Sequence, residues 1–421
     1  MRNAEEVIAA IHGAYATGSK HGLLNTETLM QRLCPVPKVP VIHVAGTNGK
    51  GSTCAMLESI LRHAGYHTGL YTSPFLQQYQ ERIRLDGIPI DDSRLTRYGN
   101  ALLNVAQDMQ PTPFELGTVL ALSAFEGEQV DVAVVEVGLG GRLDPTNVVA
   151  PCLCGIAAIG LDHMHILGDT VTQIAAEKAG IIKHGVPVVC HPAEAEVAAV
   201  FEEKAAQMDA PLHQLRMEQL LSAQCTAYGS VASYQLKECW RDVAIALPGE
   251  HQLTNAMTVL AMVEELRKQG FCLPANAVRQ GMAETVWPAR LEWCGNILID
   301  GAHNAQGVQA LLHFVQAHLA EKKRVLLTGV LAEKLQPEML AALRGLADQA
   351  VTVTPDSPRK MEAAAYAQKL REAGMEAHAA ESLQVGLREA KQLAGKDGIV
   401  IAAGSLYFAG SLRTALGLPP A

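Results

Sequence analysis

Apolar runs of strand length alternate with helical periodicity along almost the whole chain, the pattern of a parallel α/β architecture. Val41 to Ala45 reads as a buried strand. A glycine turn follows, then a helix whose Cys54, Leu57, Ile60, Leu61 and Ala64 recur on one face. Further strands are predicted at Thr68 to Thr72, Asp131 to Val137, Leu153 to Ile159 and Val186 to Cys190. Each is closed by polar or glycine-rich residues, so their carboxyl ends should line one sheet edge, where open α/β sheets bind ligands. Between about 221 and 248 the rhythm shortens to pieces such as ASYQL and DVAIAL, which predict a small antiparallel patch stopped by Pro248 and Gly249. A helix with Leu253, Ala256, Met257 and Leu260 on one face comes next, and TVWPARLEWCGN around Pro288 reads as a hinge. The α/β rhythm then restarts, with strands predicted at Asn296 to Asp300, Arg324 to Thr328, Ala350 to Thr354 and Gly398 to Ala403. Two domains result, 1–290 with a mainly parallel sheet and a smaller 291–421.

Composition narrows the function classes. A chain of 421 residues, 49% apolar and only 18% charged, is globular and long enough for two or three cores. A net charge of −9 without a Lys/Arg cluster argues against nucleic-acid and anionic-membrane partners, so an anionic substrate must be held by a few local cations. The opening MRNAEEVIAAIHGAY has Glu5 and Glu6 among its apolar residues and reads as a helix rather than a signal peptide, and no apolar run is long enough for a bilayer span. Nine cysteines without C-x-x-C spacing read as reduced thiols of a cytoplasmic protein.

The chemistry concentrates at the predicted strand ends. VIHVAGTNGKGSTCAMLESIL places a glycine turn between strand and helix, where backbone N–H groups and the helix dipole suit phosphate. The strict Walker spelling is broken by Val44 and by Gly51, which separates Lys50 from Ser52 and Thr53. Lys50 would reach the β- and γ-phosphates and a hydroxyl would ligate Mg²⁺; the plain alternative is a solvated lysine on an ordinary turn. In VDVAVVEVGLGGRLDPTNVV a strand delivers Glu136, which either holds Mg²⁺ beside the phosphates or pairs with a neighbour such as Arg142. IGLDHMHILGDT offers Asp162, His163 and His165, too few for a zinc site but enough for one histidine on Mg²⁺ or phosphate, or for a turn histidine bonded to backbone. Lys178, in AAEKAGIIK, is by residue pattern an exposed helix lysine. ILIDGAHNAQGVQAL repeats the strand-loop-helix logic with Asp300, His303 and Asn304, either facing the phosphate loop across the hinge or capping a helix, and Arg290 adds a cation at the hinge.

Together these motifs resemble the folylpolyglutamate synthase/dihydrofolate synthase family of the Mur-ligase superfamily. AGTNGKGST is that family's spelling of the phosphate loop. The match runs on in order through YTSPFL, ERIR, FELGT, EVGLGGRLDPTN, LDHMHILG, EKAGI, HQLTNA, PARLE, DGAHN and GSLY, over nearly the whole chain. The resemblance implies a P-loop-type ATPase domain followed by a smaller Rossmann-like, glutamate-binding domain, in a monomer. It implies that Thr47, Asn48, Gly49, Lys50, Gly51, Ser52 and Thr53 hold the ATP phosphates, with Asn255 near adenine and Asp300 contacting nucleotide. Ser52 and Glu136 would hold one Mg²⁺, and Ser73, Glu136 and His163 a second. Lys178 matches a lysine that is carbamylated, and Arg290 and His303 match groups approaching the γ-phosphate. Phe75, where histidine is usual, and Leu335, where an acid is common, depart from the pattern. The implied reaction activates a carboxylate of reduced folate or dihydropteroate as an acyl phosphate, which L-glutamate attacks. The pterin-side loop is matched in residues 17–33 through Gly22 and Leu23. A P-loop kinase and a nucleotide-switch protein remain the rivals, separated from a ligase by glutamate-dependent release of ADP.

Overall fold

In a computed structural model of the chain, residues 2–14, 22–34 and 36–420 are described. Residues 17–21 of the expected pterin-side loop lie outside them. Among the described residues eleven strands precede the hinge. They are β1 Val41–Ala45, β2 Thr68–Tyr71, β3 Ile83–Leu85, β4 Ile88–Pro89, β5 Val132–Glu136, β6 Pro151–Ile156, β7 Val188–Cys190, β8 Leu212–Gln214, β9 Leu220–Thr226, β10 Gly229–Gln235 and β11 Cys239–Ile245. The first eight form one sheet in the order β4-β3-β2-β5-β1-β6-β7-β8, parallel from β2 to β8 with an antiparallel hairpin at one edge. Strand β1 lies between β5 and β6, which places the turn after it at the sheet's switch point. The last three form the antiparallel sheet β11-β10-β9.

After the hinge come β12 Glu292–Cys294, β13 Ile297–Ile299, β14 Arg324–Thr328, β15 Gln349–Thr352, β16 Glu376–Ala379 and β17 Ile399–Ala403. They pair as β12-β13-β17-β14-β15-β16, parallel apart from β12. Apolar side chains cover both faces of each large sheet, as parallel strands require. One core joins β1, β2 and β5 to helices Lys50–His63 and His251–Lys268 and to the small antiparallel sheet, while helix Pro113–Gly127 closes the opposite face. Most strands stop short of the expected ends. Leu153 to Ile159, for example, leaves the sheet at Ile156, because Ala158 turns its carbonyl to the N–H groups of Thr47 and Asn48.

Helix Ala275–Ala283 fixes the phosphate-loop helix from outside through a close approach. A Cβ at Gly281 would lie 2.5 Å from the Cα of Ile60 and 2.7 Å from its N, and Ser59 Oγ donates to the Gly281 carbonyl at 2.8 Å. Backbone cannot yield as a side-chain tip can. Gly281→Ala is therefore expected to cost about 1–3 kcal/mol of stability, as overpacking does, read as a lower urea midpoint with unchanged m-value. An unshifted midpoint would mean that the two helices are free to separate.

Candidate active site

Four consecutive strands of the large sheet deliver the motifs to one edge: Ser73 follows β2, Glu136 ends β5, the glycine loop follows β1, and Asp162 and His163 follow β6. Three consecutive strands of the second sheet do the same: Asp300 to Asn304 follow β13, Ser405 and Tyr407 follow β17, and Leu331 and Lys334 follow β14. The two edges face each other across a cleft of about 500 Å³, and residues of both line it together with Arg290.

The loop is shaped by glycine where nothing else fits. Gly49 has φ 83°, and a Cβ there would lie 2.4 Å from Asn255 Oδ1. The glycine that breaks the Walker spelling has a packing reason too: a Cβ on Gly51 would meet Trp287 Nε1 at 2.8 Å. Indole occupies the space where a hydroxyl residue would stand. The N–H groups of Thr47 and Asn48 bond to Ala158 O at 2.8 and 3.2 Å, and Thr47 Oγ1 to Gly160 O at 3.0 Å. Thr53 N–H makes the helix bond to Gly49 O, so the N–H groups of Lys50, Gly51 and Ser52 are the first-turn donors left open by helix geometry. Thr53 itself is fully buried with its hydroxyl unpartnered.

Two lysines converge on one carbonyl. Lys50 Nζ donates to Gly46 O at 3.0 Å and Thr47 O at 3.3 Å, and Lys178 Nζ donates to the same Gly46 O at 2.9 Å. The residue pattern made Lys178 an exposed helix lysine; the structure corrects this, since only 4% of it is accessible. Its helix packs inward because Gly141 lies tight against the Glu177 carbonyl and the Lys178 backbone. Burial, then repulsion from Lys50, lowers the Lys178 ammonium to a pKa of about 7.

Glu136 is buried, and the one hydrogen bond found for it among the described residues comes from Ser73 N–H at 3.1 Å. Arg142 pairs instead with Glu177 at 2.8 Å. Burial raises the Glu136 carboxyl against the attraction of Lys50. Ser52 accepts a bond from Gln252 Nε2 at 3.3 Å, and Asn255 donates to Gln252 Oε1 at 2.9 Å, so HQLTNA braces the loop. A buried carboxylate short of partners, with two serine hydroxyls lining the same cleft, is a hard-oxygen set that fits Mg²⁺. No group of three or more His, Cys, Asp or Glu side chains suited to a metal occurs among the described residues, and exposed His165 does not line the cleft.

The facing edge supplies cations and a neutral imidazole. Lys334 bonds Asp162 Oδ1 at 2.5 Å and reaches His163 Nε2 at 3.5 Å. Asn304 both caps helix Ala305–His318 and donates to Asn48 and Asp162, each at 3.2 Å, while Asn48 donates to Gln306 at 2.7 Å. His303 Nδ1 faces Gly301 O at 2.8 Å, which makes Nδ1 the protonated nitrogen, and burial lowers its pKa to about 4. Both Asp300 oxygens accept backbone N–H groups, from Leu291 at 2.9 Å and Ala302 at 2.8 Å, so this carboxylate shapes the turns around Arg290 and His303. Phe75 stacks near His12 and Tyr79 beneath Arg82, and Leu335 packs into the second domain's core. Sequence reading passed over Trp287, Gln252, Gln306 and Lys334, although Gln252 lies within HQLTNA and Lys334 within GVLAEKLQPEM.

Comparison with known proteins agrees with this geometry. Residues 44–263 match the model of the Mur ligase middle domain, and residues 289–406 that of the Mur ligase, glutamate ligase domain. The chain is 36% identical to the dihydrofolate synthase/folylpolyglutamate synthase of Bacillus subtilis (strain 168), over 96% of this chain and 97% of that protein. Among solved structures it superposes on Mycobacterium tuberculosis folylpolyglutamate synthase complexed with ADP at a TM-score of 0.92 and 31% identity, covering 99% of each chain. With E. coli FolC in complex with DHPP and ADP the TM-score is 0.88 at 29% identity, covering 99% of this chain and 98% of that one.

The Lys178 ammonium titrates at about 7 in the folded chain against an ordinary 10.5. Between those values the unfolded chain binds a proton that the folded chain does not, so this lysine makes stability rise with pH across the window. In bicarbonate-free buffer Lys178→Met should exceed the wild type in stability at pH 7 by on the order of a few kcal/mol, with the gap closing above the ordinary lysine value. A gap that does not change with pH would contradict the shift.

Proposed function

The chain belongs to the folylpolyglutamate synthase/dihydrofolate synthase family of Mur ligases and is an ATP-dependent glutamate ligase; from that premise we propose how its cleft divides the work. The observation that carries the reading is the meeting of a phosphate loop and a cation-lined second edge in one cleft, with Glu136 buried and short of partners between them. The open N–H groups of the first helical turn and Lys50 hold the triphosphate, and Arg290 approaches it from the hinge. Ser52, Ser73, Glu136 and His163 are the groups that would hold Mg²⁺, which screens the anions that must approach each other. Transfer of the γ-phosphoryl to the acceptor carboxylate gives an acyl phosphate. The glutamate amine then attacks its carbonyl carbon, phosphate leaves, and an amide forms. Neutral His303, with Nε2 unprotonated, can accept a hydrogen bond from the incoming amine and orient it; the ammonium form first loses a proton to solvent, and the proton displaced as the amide forms leaves with the phosphate.

The acceptor is read into the small second cleft of about 40 Å³ that joins the first through Ser73, Pro74, Glu136 and Arg290. Its walls include Arg84 and Trp287, and Arg82 at the end of the same loop has a buried Nε without a partner. Both guanidinium groups suit a carboxylate. For the dihydropteroate half, the support is a buried, unpartnered Glu115 Oε1 on the helix against which Leu24–Leu33 packs, with Thr26 Oγ1 and Asn147 Oδ1 also unpartnered nearby. A carboxylate oxygen there suits the N–H edge of a pterin. Lys178, with a sizeable neutral fraction near neutral pH, meets the chemical requirement for carbamylation, and the resulting anion would lie against Lys50. All nine cysteines are free, which fits the cytoplasmic location we assign, and among the described residues no helix is long and apolar enough to cross a membrane.

Lys50→Ala should lower turnover on the order of 10²-fold or more while far-UV circular dichroism stays unchanged, because the lysine contributes charge at the transferring phosphoryl and little packing. Near-normal activity in this variant would remove the phosphate-loop assignment. The acceptor is settled by supplying ATP, Mg²⁺ and glutamate with tetrahydrofolate or dihydropteroate, with and without bicarbonate, and following ADP and product mass. One glutamate added to each acceptor, faster with bicarbonate, is expected. Turnover on tetrahydrofolate alone would leave a monofunctional synthase, bicarbonate independence would remove the carbamate, and a stable phosphoproduct would favour a kinase.

A further inference from the structure

Arg413 is buried to 2% accessibility in helix Leu406–Ala415, outside every motif that carried the functional reading. Its guanidinium bonds in three directions: Nε to Gln77 Oε1 at 2.9 Å, Nη1 to Glu292 Oε1, and Nη2 to Pro419 O at 2.6 Å. Each of the first two partners belongs to a segment that faces the cleft.

Gln77 lies in the loop that begins at Ser73 and ends at Arg82. Inside that loop Glu81 accepts the N–H groups of Leu76, Gln77 and Gln78 at 2.7 to 3.0 Å, so it moves as one piece. Outside, Gln77 Nε2 also donates to Leu418 O at 3.1 Å. Helix Leu406–Ala415 touches the loop directly, since a Cβ on Gly410 would lie 1.9 Å from Leu76 O.

Glu292 acts on the hinge. Its second oxygen accepts Ala289 N–H at 2.9 Å, while Asp300 holds Leu291 N–H. Ala289 at φ 54° and Leu291 at φ 49° are both left-handed and both buried, conformations that cost energy for residues with a Cβ and persist only when their surroundings hold them. Between them stands Arg290, which lines both clefts. Two carboxylates thus hold a strained turn, and one of them is itself held by Arg413.

We propose that Arg413 is a positioning residue of the ligase reaction, setting the Ser73–Arg82 loop and the turn that aims Arg290 in one fixed relation. Removing it releases the acceptor side and the phosphoryl-transfer side together. This rests on the roles given above to Arg290 and to the Ser73–Arg82 loop.

Steady-state kinetics of the full chain test it with Arg413→Gln, Arg413→Lys, Gln77→Ala, Glu292→Gln and the double variant Arg413→Gln/Gln77→Ala. Gln77→Ala should raise the folate KM with kcat nearly unchanged, and Glu292→Gln should lower kcat. Arg413→Gln should do both, losing roughly tenfold to a hundredfold in kcat/KM, as loss of a charge-assisted bond implies. Lysine, which keeps the charge without the fork, should recover only part. Adding Gln77→Ala to Arg413→Gln should raise the folate KM no further, because the two act as one unit. Additive effects, unchanged constants in Arg413→Gln, or a fall in kcat that merely tracks lost melting temperature with KM intact would overturn the proposal. An inactive wild type overturns the ligase reading, whereas an active wild type with an unaffected Gln77→Ala overturns this coupling alone.

Discussion

One carbonyl oxygen, that of Gly46, accepts hydrogen bonds from two lysines, and the rest of the cleft is arranged around that crowding. Two ammonium groups this close repel, and burial of one makes full charge on both unfavourable, which is why Lys178 sits near neutrality while Lys50 keeps the charge role. A triphosphate or a carbamate anion would relieve the repulsion, so the loop is built to bind negative charge even though the chain as a whole carries −9.

The opposite edge completes the field rather than repeating it. Lys334 is committed to Asp162 at 2.5 Å, and the Asn48, Asn304 and Gln306 amides tie the glycine loop to the second domain without adding charge. Arg290 is the cation that lies between the two edges, and it stands between two residues of left-handed backbone, Ala289 and Leu291. Strain at a hinge held by two carboxylates fixes one geometry where the two domains meet.

The rhythm of strands and helices was legible because parallel strands buried on both faces are continuous apolar runs, and the strand ends carried the polar motifs. The glycine loop and Glu136 could be read from their order along the chain. What could not be read was depth. A lysine in AAEKAGIIK has the spacing of an exposed helical residue, and only the approach of Gly141 to its helix turns it inward. The reason for Gly51 was equally hidden, because Trp287 stands far away in sequence. Asp300, expected to contact nucleotide, lines the cleft and also accepts backbone N–H groups of the hinge and of the turn after it, a bracing role that side-chain type alone does not carry.

These hidden features share a cause. Motif residues are recognised by chemistry, but in this cleft several of them act on other protein groups: Asn255 on Gln252, Asp300 on the hinge, Asn304 on Asn48 and Asp162. A buried polar side chain must satisfy its hydrogen bonds, and the cheapest partners are backbone N–H groups of neighbouring turns. Bracing of this kind fixes groups that keep spare bonding capacity, among them Lys50, the first-turn N–H groups, Glu136 and the Nε2 of His303. Those are the groups that face the cleft with bonding capacity to offer a substrate, and the specificity of the site follows from how completely the others are occupied.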